Sequence, residues 1–386
     1  MDFTFTEEQK ILRDEVIRFA QKELNEGIVE RDRAQEFDRS LWEKCGEMGL
    51  QGLPVPEEYG GIGADPLTTA VVLEALGYGC RDGGLVFGIC AHILACVVPV
   101  VKHGTDDQKQ RYLPGLSDGS MIAVNGISEP GSGSDAFAMQ THAVARDGGF
   151  VLNGTKTFSS NGPVADLAVV YAVTDPGKGY HGGITAFLVE SDTPGYTRGQ
   201  KFEKMGLRTC PIGELILEDV FVPEENVIGG VGGGGPIFAQ SMEWERACLV
   251  ASHVGAMERL LEDAVQYARE RKASGQPIGR FQAVAHRLAD SKVRLEASRL
   301  LTYQAASKLD RDRKVGLDAS IAKLFVSEAF VDSSMDAIRT LGGYGFMAEY
   351  EAERALRDSV GGTLYSGTND IQRNIIARWL GLKTSE

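Results

Sequence analysis

Three long stretches, residues 238–271, 281–309 and 317–340, are rich in Ala, Leu, Glu and Arg and contain no proline. An internal proline would remove a backbone donor and clash with the preceding turn, so its absence predicts continuous helices. Long helices of this kind bury one face each, and they usually do so by packing as a bundle.

The texture before them differs. Residues 121–127, 140–146, 150–158, 167–173, 184–190 and 214–222 are short β-rich runs. Asp147-Gly148, Asn153-Gly154 and Asp175-Pro176 punctuate this region as turn signals. The first third is helical again. Thr6 and Gln9 form a capping box ahead of Leu12, Val16 and Phe19, and Ser40 with Glu43 offers a second helix start. A chain of 386 residues supports two or three domains. The expected class is α+β: an N-terminal helical domain over 1–120, a middle β-barrel-like domain over 121–228 and a C-terminal four-helix bundle over 229–386.

A net charge of −14 argues against chain-wide attraction to nucleic acid or to an anionic membrane. The six cysteines include no CxxC pair, so reduced thiols and a cytoplasmic location are expected. The opening MDFTFTEEQK lacks the basic and apolar regions of a signal peptide. The longest apolar run, 84–101, contains His92 and only marginally reaches membrane length, so a buried helix is expected and no membrane span. His92 itself reads as a satisfied core histidine. His103, His142, His181, His253 and His286 have no ligand spacing, and no metal is expected.

Two glycine-rich segments need separate readings. The run 229–235 has no βαβ unit around it, which predicts a flexible linker and no dinucleotide loop. Ser128-Glu129-Pro130-Gly131-Ser132-Gly133-Ser134-Asp135 follows a predicted strand, where glycines let backbone amides approach a ligand and hydroxyls supply hydrogen bonds. Its bland reading is a turn. Near the end, Ser366-Gly367-Thr368-Asn369-Asp370 places small polar residues before a helix, either as an anion-holding start or as a plain cap.

These segments occur together with Asn153-Gly154-Thr155-Lys156, Glu270-Arg271-Lys272, Leu341-Gly342-Gly343-Tyr344-Gly345 and Ser366-Gly367-Thr368-Asn369-Asp370-Ile371-Gln372-Arg373. In order and spacing the set resembles the acyl-CoA dehydrogenase family over nearly the whole chain. The resemblance implies FAD between the β domain and the bundle. Asn125, Ile127, Ser128, Gly133 and Ser134, with Phe158, Ser159 and Ser160, would hold the flavin ring. Arg271, Gln282, Arg339 and Gly343 would grip the adenine half from a neighbouring chain, and Thr368 and Asp370 complete the cofactor set. Ser274 and Arg339 depart from the aromatic residue and glutamine usual at these positions.

A dehydrogenation beside a thioester carbonyl needs a carboxylate base. The family's usual glutamate, just before Gly367, is here Ser366, whose hydroxyl is far too weak a base. Glu243 and Glu245 lie about 200° apart on a predicted helix. Glu245 has Ser241, Met242, Cys248 and Leu249 as helical neighbours, whereas Glu243 can pair with Arg246, so Glu245 is the inward-facing carboxylate. The resemblance gives the same position, the alternative base site of isovaleryl- and long-chain-type members. The competing reading is a solvated helix glutamate. The Ser366 amide would bind the thioester carbonyl, and Ser134, Glu243, Arg246, Tyr365 and Gly367 would line the substrate site.

Residues 84–92, 241–245 and 366–370 further resemble the branch acting on prolyl groups of carrier proteins. The implied substrate is an acyl or aminoacyl thioester on CoA or a carrier protein, with an electron-transfer flavoprotein or dioxygen as acceptor. A homo-oligomer is implied, with a tetramer favoured over a dimer. The alternatives are a short- or branched-chain acyl-CoA dehydrogenase, a non-catalytic acyl-thioester or flavin-binding protein, and a flavin oxidase or monooxygenase on the same scaffold.

Overall fold

The structure, a computed structural model, describes residues 4–309 and 315–383. Residues 1–3 of the polar opening segment lie outside the described residues. The N-terminal region holds α1 (Glu7–Glu23), α2 (Ile28–Ala34), α3 (Arg39–Glu47), α4 (Pro66–Gly79), α5 (Gly83–His92), α6 (Val98–His103) and α7 (Asp106–Ser117). The capping box forms: Thr6 Oγ1 accepts the Gln9 amide at 3.2 Å and Gln9 Oε1 accepts the Thr6 amide at 3.1 Å. The second start is displaced. Asp38 caps α3 by accepting the amides of Ser40 and Leu41, and it also takes the Ser40 hydroxyl, so Ser40 serves as a donor.

The apolar run becomes α5, a widened π-turn at Ile93–Val97 and α6, almost all of it buried among neighbouring elements. His92 is a fully buried core residue. Its Nδ1 accepts the Ala123 amide at 3.0 Å, which makes Nε2 the donor to the Leu116 carbonyl at 2.9 Å.

The middle region contains β1 (Ala123–Gly126), β2 (His142–Arg146), β3 (Gly149–Ser160), β4 (Leu167–Val173), β5 (Ile184–Glu190), β6 (Tyr196–Lys201), β7 (Ile212–Pro223) and β8 (Val227–Ile228). They are ordered β6-β7-β3-β2-β4-β5-β8, with β1 parallel to β4. The β2–β4 seam consists of one residue pair, His142 with Val173. β6 was not foreseen because its Thr197, Arg198 and Gln200 give an edge strand without apolar alternation. Asn153-Gly154 is no turn: it lies within β3 at a bulge. Gly154 has φ +151°, and a Cβ there would stand 2.4 Å from Thr141 Oγ1, so close packing explains the glycine.

The expected linker at 229–235 is a structured turn. Gly229, Gly230 and Gly232 take positive φ, the Gly232 amide donates to Thr185 Oγ1 at 2.9 Å, and α8 (Gly234–Trp244) begins at once. A second π-turn, Glu245–Leu249, joins α8 to α9 (Val250–Glu270). α10 (Gln282–Leu309), α11 (Gly316–Leu341), α12 (Glu351–Gly361) and α13 (Asn369–Trp379) follow. α9, α10 and α11 pack on one another, and α4 lies along α9. One hydrophobic core draws Trp42, Val124, Leu215, Trp244 and Ala322 from all three regions.

Candidate active site

A π-turn inserts one residue into a helical turn and re-aims the side chains at its start. Here it starts at Glu245. Its neighbours Ser241, Met242, Cys248 and Leu249 are buried, and Glu245 itself is only 7% exposed, which rules out the solvated-helix alternative. Burial raises the carboxyl above its usual range, against opposing hydrogen bonding from Ser366 and the charges of Arg246 and Lys323. Ser366 Oγ donates to Glu245 Oε1 at 2.5 Å. Glu243 is half-buried, and burial raises it too. Arg246 acts on Glu243 through its charge, but it turns its Nε to the Ser366 carbonyl at 2.9 Å in place of the expected direct pairing.

The loop before α13 is tightly constrained. Ser366 and Gly367 have consecutive positive φ values of 56° and 81°. Gln372 Nε2 donates to the carbonyls of Ser366 at 3.2 Å and Gly367 at 2.8 Å. Thr368 caps α13 by accepting the Ile371 amide at 3.3 Å, so its hydroxyl fills the plain capping role. Asp370 is exposed and 3.6 Å from Arg373. Tyr365 is half-buried. Its ring stacks on Phe87 with centroids 4.5 Å apart, and its hydroxyl meets His253 Nε2 at 2.6 Å. Behind the loop, Lys323 Nζ donates to Asn369 Oδ1 at 2.8 Å, and burial together with nearby Arg246 pulls this ammonium down to about 7.

The second set of residues lies on the sheet. Asn125 on β1 and Ser159 on β3 each present a buried side-chain oxygen that meets no hydrogen-bond partner among the described residues. Phe158 is 67% exposed in a left-handed conformation, φ 52°, a strained state for a bulky residue. The Thr157 amide donates to the Ser128 carbonyl at 2.8 Å, which brings the Ser128–Asp135 loop beside 158–160. Ile127 and Ser128 are half-buried, Ser160 is half-buried, and Gly133 and Ser134 stand exposed. An uncovered aromatic ring, two orphan oxygens and an open glycine-serine loop fit a flat heteroaromatic group with polar edges, as a flavin is.

What sequence reasoning missed here is the brace under the loop. Glu129 accepts the Gln140 amide at 2.6 Å, the Thr141 amide at 2.9 Å and Lys156 Nζ at 2.8 Å. Both residues stood inside motifs that drew notice, but nothing in a linear chain announces that they pair.

The third set lies on the bundle. Arg271 and Gly343 line one open groove with Tyr267, Ile278, Thr340 and Tyr344, and the Arg271 guanidinium sits 5.7 Å from the Tyr344 ring centre. Gln282 and Arg339 are exposed but do not line it, and Arg339 lies 3.5 Å from Asp336.

Comparison with known proteins bears on this geometry. Family models described as the N-terminal, middle and C-terminal domains of acyl-CoA dehydrogenase match residues 6–120, 125–220 and 232–381. An L-prolyl-[peptidyl-carrier protein] dehydrogenase from Serratia sp. is 41% identical over 383 residues, 99% of each chain. Among solved structures, the prolyl acyl carrier protein oxidase AnaB superposes with a TM-score of 0.95 at 44% identity, covering 98% of this chain and 100% of its own. PigA with FAD and proline gives a TM-score of 0.97 at 41% identity over the full length of both. Three domain models in chain order and a full-length relative of this identity place the chain in the acyl-CoA dehydrogenase family.

Proposed function

We propose that this chain catalyses FAD-dependent α,β-dehydrogenation of a prolyl group held as a thioester on a peptidyl carrier protein, with Glu245 as the base that removes the α-proton. The observation that carries the reading is the buried Glu245 carboxylate meeting the Ser366 loop, where the family's usual glutamate is missing. Support for the substrate comes from relatives named for prolyl carrier proteins that match end to end.

The α-hydrogen of a thioester is acidic because the carbonyl takes up the charge left on carbon. A base in an apolar enclosure has its pKa raised toward neutrality, where proton transfer is efficient. Glu245 meets both conditions. The Ser366 amide is the candidate donor to the developing carbonyl oxyanion, and the turn that presents it is held in advance by Arg246 and Gln372. When bound, FAD supplies the hydride acceptor for the β-carbon. Asn125, Ser159, Phe158 and the Ser128–Asp135 loop would hold its ring.

The test is anaerobic mixing with prolyl-carrier protein, followed by flavin absorbance. Wild type should bleach rapidly. Glu245→Gln should keep its FAD but reduce it about 10²–10⁴-fold more slowly, the usual worth of a general base, while Glu243→Gln should stay within about threefold on the same scale. Wild-type reduction rates in Glu245→Gln would rule out the base assignment. Faster bleaching by butyryl- or isovaleryl-CoA would move the substrate to free acyl-CoA.

A further inference from the structure

Glu245 has two carboxylate oxygens, and the protein treats them differently. Oε1 accepts the Ser366 hydroxyl at 2.5 Å, while among the described residues no donor reaches Oε2. The hydroxyl is held there by backbone. Ser366 has φ 56°, which few non-glycine residues adopt, and its carbonyl is fixed from two sides by Arg246 Nε at 2.9 Å and Gln372 Nε2 at 3.2 Å. A short side chain on a fastened backbone has little freedom, so the hydroxyl is a preset donor.

We propose that Ser366 is a positioning residue: its hydroxyl clamps one oxygen of Glu245 and leaves the other as the sole atom presented to the substrate α-carbon. The inference rests on the assignment of Glu245 as the base. A carboxylate free to rotate would offer either oxygen over a range of directions, whereas a clamped one meets the C–H along a single line.

The clamp also favours the ionised base, because a hydrogen bond donated to a carboxylate stabilises its charged form. Burial acts the other way, and among the groups that oppose it the Ser366 bond comes ahead of Arg246 and Lys323. The other titratable groups that sense Glu245 are Cys90 of α5, Cys96 of the first π-turn, Tyr171 of β4 and Tyr365 of the loop. Burial keeps all four protonated at neutral pH. Among the described residues that face Glu245, Lys323, at about 7, is the group that titrates in the working range, and it is common to every variant below.

The experiment is the pH dependence of anaerobic flavin reduction by prolyl-carrier protein, from pH 5 to 9, in the FAD-loaded wild type, Ser366→Ala, Ser366→Gly and Ser366→Thr. Without the hydroxyl, the acidic limb should move up by about one pH unit, the size expected for one hydrogen bond to a carboxylate. The plateau rate should fall about tenfold as orientation is lost. Ser366→Thr keeps the hydroxyl at the cost of strain at the positive φ, so it should hold the limb near its wild-type position while its plateau falls. Ser366→Gly suits the positive φ without strain and should show the same shift as Ser366→Ala, which keeps the test valid if alanine folds poorly. A residue that merely shaped the loop would lower the plateau in Ser366→Ala and Ser366→Thr, spare Ser366→Gly, and leave the limb in place in all three. An unmoved limb in both Ser366→Ala and Ser366→Gly, with Glu245→Gln inactive, overturns the clamp alone. A fully active Glu245→Gln overturns the base assignment and the clamp with it.

Discussion

Lys156 Nζ lies 2.8 Å from Glu129 Oε1, with both side chains withdrawn from water. Burial works against the ionised carboxylate, but the Gln140 amide, Lys156 and Thr141 outweigh it and hold Glu129 below its usual value. For Lys156 burial prevails over Glu129 and pulls the ammonium down to about 8. The pair ties the Ser128–Asp135 loop to β3, where Phe158 and Ser159 stand. Lys156→Met removes one charge and strands the other in the interior. It should cost about 3–5 kcal/mol of stability, read from urea unfolding, and weaken FAD binding at least about tenfold, read from flavin fluorescence. A Lys156→Met protein with wild-type unfolding and flavin affinity would show that the brace is dispensable.

Gly77 of α4 and Gly255 of α9 let the N-terminal region approach the bundle. A Cβ on Gly255 would sit 2.0 Å from the Glu74 carbonyl oxygen, and one on Gly77 would sit 2.1 Å from the Ser252 carbonyl oxygen. Backbone cannot yield as a side-chain tip can, so Gly255→Ala should separate the helices and cost about 3 kcal/mol. Gly131→Ala, where none of the described residues comes within 4 Å of the added Cβ, should stay within about 0.5 kcal/mol. Equal urea midpoints for the two variants would contradict the close approach.

His92 is neutral in the fold, because burial pulls it down to about 4 even though the Leu116 carbonyl opposes the shift. An unfolded histidine takes up its proton near pH 6.5. The unfolded state therefore binds more protons between pH 6.5 and 4, and folding stability falls as the pH drops through that window. The loss from His92 alone should be about 3 kcal/mol at the acid end. His253, pulled down to about 3 by burial with help from Lys323, adds a loss of the same sign. His92→Gln should show a shallower decline of melting temperature between pH 6.5 and 4 than wild type, and parallel declines would refute the assignment.

Much of the architecture is readable along the chain because it depends on neighbours a few residues apart. β4 and β5 have the bounds their apolar runs predict, and the Thr6–Gln9 box caps α1 as its spacing requires. Glu245 faces inward because the residues three and four positions away from it are apolar or small. Legibility stops where a residue's partner is remote or its pattern is weak. β6 carries polar residues on a sheet edge, Asp38 preempts Ser40 as a cap, and the glycines at 229–235 form a fixed turn through Thr185. Arg246 gives its Nε hydrogen bond not to its helical neighbour Glu243 but to a carbonyl that lies 120 residues away in the chain.

By itself, then, the order of residues determined the three-region plan, the family's motifs and which carboxylate on α8 and its π-turn turns inward. Those follow from periodicity, which any local stretch carries. Only the tertiary structure decided what that carboxylate meets: Ser366, 121 positions later, with Lys323 and Arg246 at its back. A buried charge takes its strength from the donors and dielectric around it, and those are supplied by distant segments that become neighbours only when the core closes.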